Sequence, residues 1–153
     1  MSNMLYIGAD MSNEERGQWV YLVVIALTYA GYVAIILGRA AGSTLADVDY
    51  VPTMLGAIGV GIALAIVGRI LTEIVAEIVG GPDSHVADVR DRDIGRFGEY
   101  FAGTVLGVGM VVPFVLALAD ADTFWIANAM YLVFTVQAIV GAVIKLVAYR
   151  RGF

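Results

Sequence analysis

Glu73, Glu77, Asp91 and Asp93 are the side chains in this sequence best suited to chemistry. Carboxylates are hard oxygen ligands, and four of them at one end of a set of helices could bind a divalent cation such as Mg²⁺. That chemistry would make the chain a membrane enzyme. The same stretch carries Arg90, Arg92 and Arg96, which favours mutual neutralisation over metal binding. Cysteine is absent, so thiolate metal sites, disulfides and cysteine nucleophiles are excluded. His85, the one histidine, has no second His or Cys with which to share a metal, and it reads as solvated. Asp91-Arg92-Asp93-Ile94-Gly95 begins like a calcium loop but lacks the third oxygen ligand and the closing glutamate. Gly56-Ala57-Ile58-Gly59-Val60-Gly61 lies inside an apolar run and follows no strand, so it is not a dinucleotide loop. The residues assign no catalytic group, no metal and no cofactor, and they point away from an enzyme.

What these charges do form is a cluster. Arg69, Glu73 and Glu77 recur at four-residue steps and share one helix face. If residues 87–99 are helical, Asp88–Arg92 and Asp93–Arg96 become i,i+4 and i,i+3 pairs, and Arg92, Arg96 and Glu99 lie on one side. Lys145 falls at the same level near the end of the last apolar run. Arg92 and Arg96 are expected to meet the glutamates of the second run and clasp the helix ends together. The alternative use of the cluster is a docking site for a cytoplasmic protein or for lipid headgroups.

The elements that must carry this cluster are apolar. Hydrophobic residues make up 60% of the 153, the mean hydropathy is +0.84, and 15% are charged, against about a quarter in a soluble domain. Four runs reach the roughly 20 residues needed to cross a 30 Å hydrocarbon core: 18–38, 51–71, 100–119 and 124–148. Pro52 falls in the first turn of its run, where the missing N–H costs nothing. A backbone in lipid must satisfy its own hydrogen bonds, and nothing here alternates as barrel strands do, so the runs are helices. The fold class is an all-α membrane protein, with four transmembrane helices in two antiparallel hairpins. Residues 1–17 read as a cytoplasmic segment, 18–148 as a single domain with a charged loop over 72–99, and 149–153 as a cytoplasmic tail. Met11-Ser12-Asn13-Glu14-Glu15 reads as an alternative start to Met1.

Basic residues set the orientation. Arg16, Arg69, Arg90, Arg92, Arg96, Lys145, Arg150 and Arg151 fall on one side of the four runs, and of the 9 cations only Arg39 falls on the other. Both termini and the central loop are therefore expected in the cytoplasm of a cell with an inner (plasma) membrane. The net charge of −5 argues against nucleic acid as a partner.

Two polar lines cross the apolar runs. Thr28 and Tyr32 lie on one face of the first helix; Asn128, Tyr131 and Thr135 lie on one face of the last. Polar groups avoid lipid, so both lines should face the interior. They act either as hydrogen-bonding glue or as the lining of a small homo-oligomeric channel or carrier. No Asp or Glu lies mid-span, which counts against an ion-coupled carrier. Ala26, Ala30, Ala34 and Gly38 recur every four residues on the first helix, and Gly61 and Gly107 add small surfaces to the second and third. Small residues let helices approach closely in lipid, either within the chain or at a homo-oligomer seam. Pro113 frees the carbonyl of Gly109 and should kink the third helix.

Asp88-Val89-Arg90-Asp91-Arg92-Asp93-Ile94 resembles the D-E-R-D-x-x-I motif of small bacterial four-helix membrane proteins of unknown function, with Val89 in place of the Glu. The similarity extends to Trp125-Ile126-Ala127-Asn128 and to the closing stretch 145–153. The resemblance implies four spans and a bacterial inner membrane, and it brings no catalytic residues. The expected function is a non-enzymatic interaction or regulatory protein, whose partners are the bilayer, further copies of itself and a cytoplasmic protein.

Overall fold

The computed structural model describes residues 13–80 and 89–151. His85 and Asp88 lie outside the described residues, as does the alternative start at Met11. The described chain is all helix and turn. Helix α1 spans Asn13–Arg39, α2 Val51–Gly80, α3 Val89–Gly109, α4 Val111–Leu118 and α5 Thr123–Arg151, with one 3₁₀ turn at Leu45–Asp47. Four helical stretches are long and apolar enough to cross a membrane: α1, α2, α3 continued by α4, and α5.

The helix ends follow from local chemistry. Glu14 and Glu15 sit in the first turn of α1 and Arg39 in its last, each complementing the helix dipole. Asp122 precedes α5 and its Oδ1 accepts the Phe124 N–H at 2.7 Å, an N-cap. Helix α4 ends in a Schellman turn: the Ala121 N–H reaches the Leu116 carbonyl and the Asp120 N–H the Ala117 carbonyl, at 3.0 and 3.2 Å. That turn needs a left-handed residue, and Asp120 supplies it at φ 51°. The α3–α4 break falls at Met110, one turn before Pro113, where the ring removes the N–H that would have bonded Gly109. Gly109 packs against Val133 there, and a Cβ in its place would lie 2.7 Å from Val133 Cγ1.

Helix α5 is the central element. It packs against α1, α3 and α4, while α2 packs on α1 and makes at most marginal contact with α3 or α5. The order across the molecule is thus α2, α1, α5, α3, an open row in which α2 and α3 face each other across a gap. The core is small and lies at the Arg39 end, where Tyr32, Ile36, Met54 and Phe124 form one buried cluster. Tyr50, Phe124 and Trp125 stack edge to face at that end, with centroids 5.1 Å apart in each pair. Leu27, Leu55, Ile62, Val108 and Phe114 are exposed. In water such a surface would be unstable; against acyl chains it is the expected exterior.

Candidate functional site

The charged end of the molecule is built from three helix termini and one mid-helix arginine. Arg69 on α2 forks onto Glu14 of α1, with Nη1 and Nη2 at 3.1 and 2.9 Å from the two carboxylate oxygens. Its Nε bonds Glu73 one turn along α2 at 2.7 Å. Glu15, only 8% exposed, lies 3.7 Å from Arg150 Nε on α5, and the Arg150 guanidinium stands 5.4 Å from the Trp19 ring centroid. Lys145 of α5 faces Glu99 of α3 at 3.6 Å. Arg90 donates to the Tyr149 carbonyl at 3.4 Å, and the Tyr149 hydroxyl bonds Asp91. Two links therefore tie α1 to α2 and α5, and three tie α3 to α5. With Arg69 half exposed, each of its pairs is worth about 1 kcal/mol or less.

This differs from the pairing expected from spacing. Arg92, Asp93 and Arg96 are exposed, and none of them has an ion pair among the described residues. Among the described residues the glutamates of α2 pair with no arginine of α3, because α2 and α3 make at most marginal contact. Glu77 is exposed and has an interaction of its own. The clasp uses Glu14, Glu15 and Arg150 instead, residues that spacing alone places in terminal segments. Their signal is present in the sequence: α1 opens with two acids, and the cations Arg69 and Arg150 lie at the same end of neighbouring helices. The carboxylates Glu73, Glu77, Asp91 and Asp93 do not converge, and no group of three or more His, Asp or Glu that could hold a metal ion occurs among the described residues.

The polar lines on α1 and α5 meet each other. The Tyr32 hydroxyl donates to Asn128 Oδ1 at 2.7 Å, and Asn128 Nδ2 donates to the Phe124 carbonyl at 2.8 Å. Thr28 and Thr135 turn back onto their own helices, bonding the Val24 and Tyr131 carbonyls at 2.7 and 2.9 Å. Tyr131 packs edge to face on Tyr29 and Tyr32, each 5.2 Å away between centroids. Tyr32 and Asn128 thus join α1 to α5, while the two threonines are satisfied within their own helices.

Small residues divide into two sets. Gly61 faces Thr28, Gly68 faces Val20, and Gly141 meets Ala102, so these serve contacts within the chain. Ala26, Ala30, Ala34 and Gly38 are all exposed, and a Cβ added at Gly38 or Gly107 would meet nothing within 4 Å. The stripe on α1 is thus not used by another described helix of the same chain.

Toward the charged end, α1, α2, α3 and α5 line an open cavity of about 320 Å³. Gln18 and Tyr21 of α1, Arg69 of α2, Glu99 of α3, and Gln137 and Lys145 of α5 contribute its polar lining. Gly98 allows Lys145 to reach it: the lysine methylenes lie across Gly98, where any Cβ would collide with them. No protein-family model, curated protein or solved structure matches the chain.

Proposed function

We propose that the chain is a multi-pass protein of a bacterial inner membrane, both termini cytoplasmic, acting as a non-enzymatic interaction or regulatory protein. The observation that carries this is the division of labour among its cations. Arg69, Lys145 and Arg150 are engaged within the molecule, whereas Arg92 and Arg96 stand exposed one turn apart on the free side of α3. They form a cationic face for an acidic patch on a cytoplasmic protein. The orientation rests on the bias of basic residues toward the cytoplasm, and the pairing of α1 with α2 and of α3–α4 with α5 supports two antiparallel hairpins. Membership in the D-E-R-D-x-x-I group of membrane proteins belongs to the same proposal. Self-association through the uncovered α1 stripe is part of it as well, since small residues left facing lipid suit a second copy.

The test is affinity purification of the full chain from its native membrane. Arg92→Ala with Arg96→Ala should remove a co-purifying cytoplasmic protein while the helical content and thermal stability stay at the wild-type level. Loss of the fold in that variant, or retention of every partner, would refute the docking face. The channel reading has less support, because Tyr32, Asn128 and Thr135 direct their polar atoms at each other and at their own helices.

A further inference from the structure

The cavity at the charged end is lined by several polar side chains, some of which make no hydrogen bond to a described residue. The Lys145 ammonium has three N–H groups, its side chain is 18% exposed, and its nearest carboxylate is Glu99 at 3.6 Å, beyond hydrogen-bond reach. Gln18, Gln137 and Tyr21 line the same space, and none of them has a side-chain hydrogen bond to another described residue. Gln18 and Gln137 are partly buried, so their amides are free to bond a molecule that enters the cavity. The one acid on the lining, Glu99, stands at the mouth with its side chain 75% exposed.

A second cavity of about 210 Å³ lies beside the first. The two share Tyr21, Ala65, Gln137 and Ala138. The second is mostly apolar, walled by Ile25, Ile58, Ile62 and Phe134, and the Thr28 and Thr135 hydroxyls on its lining bond their own helices. The polar chamber therefore adjoins a mostly apolar slot. Because α2 scarcely touches α3 or α5, the gap opens sideways, toward lipid.

The depth fits an amphiphile. Helix α5 has 29 residues, about 43 Å at 1.5 Å per residue, which leaves about 7 Å beyond a 30 Å core at each end. Lys145 lies about 9 Å from the α5 C-terminus, near the hydrocarbon boundary, where a lysine side chain reaches headgroups.

We infer that this cavity holds one membrane phospholipid with a zwitterionic, amine-bearing headgroup. Its phosphate accepts from Lys145 and Gln18, with Arg69 on the facing wall, and its amine meets Glu99. Tyr21 and Gln137 lie at the neck, toward the ester-linked glycerol, and one acyl chain runs into the slot along α1, α2 and α5. The match is one of charge order: a cation inside and an acid at the mouth complement a phosphate inside and an ammonium outside.

The test uses the full chain, delipidated in mild detergent and titrated with defined lipids under native mass spectrometry. Phosphatidylethanolamine should bind one per chain and about fivefold more tightly than phosphatidylglycerol, the effect of a single partly exposed charge pair. Diacylglycerol and inorganic phosphate should bind far more weakly. Glu99→Gln should erase the preference for the amine, Lys145→Ala should weaken both phospholipids about tenfold, and Ala138→Trp should abolish binding by filling the neck. Equal retention of diacylglycerol, an unchanged headgroup preference in Glu99→Gln, or undiminished binding in Ala138→Trp would each overturn the assignment. Should Lys145→Ala fail to fold, the Glu99 and Ala138 variants decide the matter, since neither removes a buried charge.

Discussion

Tyr32→Phe isolates the one hydrogen bond between side chains that joins α1 to α5 deep in the described molecule. The substitution deletes a hydroxyl and leaves the ring, so the edge-to-face contact with Tyr131 and the tilted contact with Tyr29 survive. Interhelical hydrogen bonds in membrane proteins average about 0.6 kcal/mol and reach about 1.7. Tyr32 is 2% exposed, so Asn128 Oδ1 would lose its donor where no water replaces it, which places the cost at the upper end, about 1–2 kcal/mol. Asn128→Leu forfeits the same bond and strands the tyrosine hydroxyl, with a cost of about 2 kcal/mol. The double variant removes both partners and should be milder than the sum of the two by about 1 kcal/mol. The assay is reversible unfolding of the full chain in mixed micelles with a rising fraction of denaturing detergent, followed by far-ultraviolet circular dichroism. Additive single effects, within about 0.3 kcal/mol, would refute the claim that this bond couples the two helices.

Two further outcomes are expected. Asp120→Gly should stabilise the fold by about 1 kcal/mol in the same titration, because glycine takes the left-handed Schellman position without the Cβ penalty; a loss of stability would mean that the aspartate side chain is needed there. Ala30→Leu with Ala34→Leu should shift sedimentation of the detergent-solubilised protein toward monomer, since the bulk falls on an exposed stripe. An unchanged mass with unchanged fold would refute self-association through this stripe.

The helices are legible in the sequence because bilayer thickness imposes a length on apolar runs, and 18–38 or 124–148 could hardly be read otherwise. The break at Met110 is legible from Pro113, a purely local effect. The partners of the charges are not. A helical repeat says which residues share a face, and it correctly joins Arg69 to Glu73. It does not say which helix lies opposite, and so it sends Arg92 and Arg96 toward α2, a helix that α3 does not pack against. Glu14 and Glu15 read as part of a terminal segment because they precede the apolar run, although a helix favours acids in its first turn and can begin before the bilayer does. The cavity is out of reach for a related reason: Gln18, Gln137 and Lys145 come together only once the order α2, α1, α5, α3 is known.

The contact between Glu15 and Arg150 has one more consequence. It brings the first turn of the first helix and the last turn of the last to a single point. The described helices therefore come close to a closed loop in space, and their connectivity is separable from their architecture. A short flexible tether from the end of α5 to the start of α1 would span that distance without strain, and new ends could be opened in the turn at Gly42, where the backbone is exposed and left-handed. A circular permutant of that kind would keep every contact between helices while inserting its spans into the membrane in a different order.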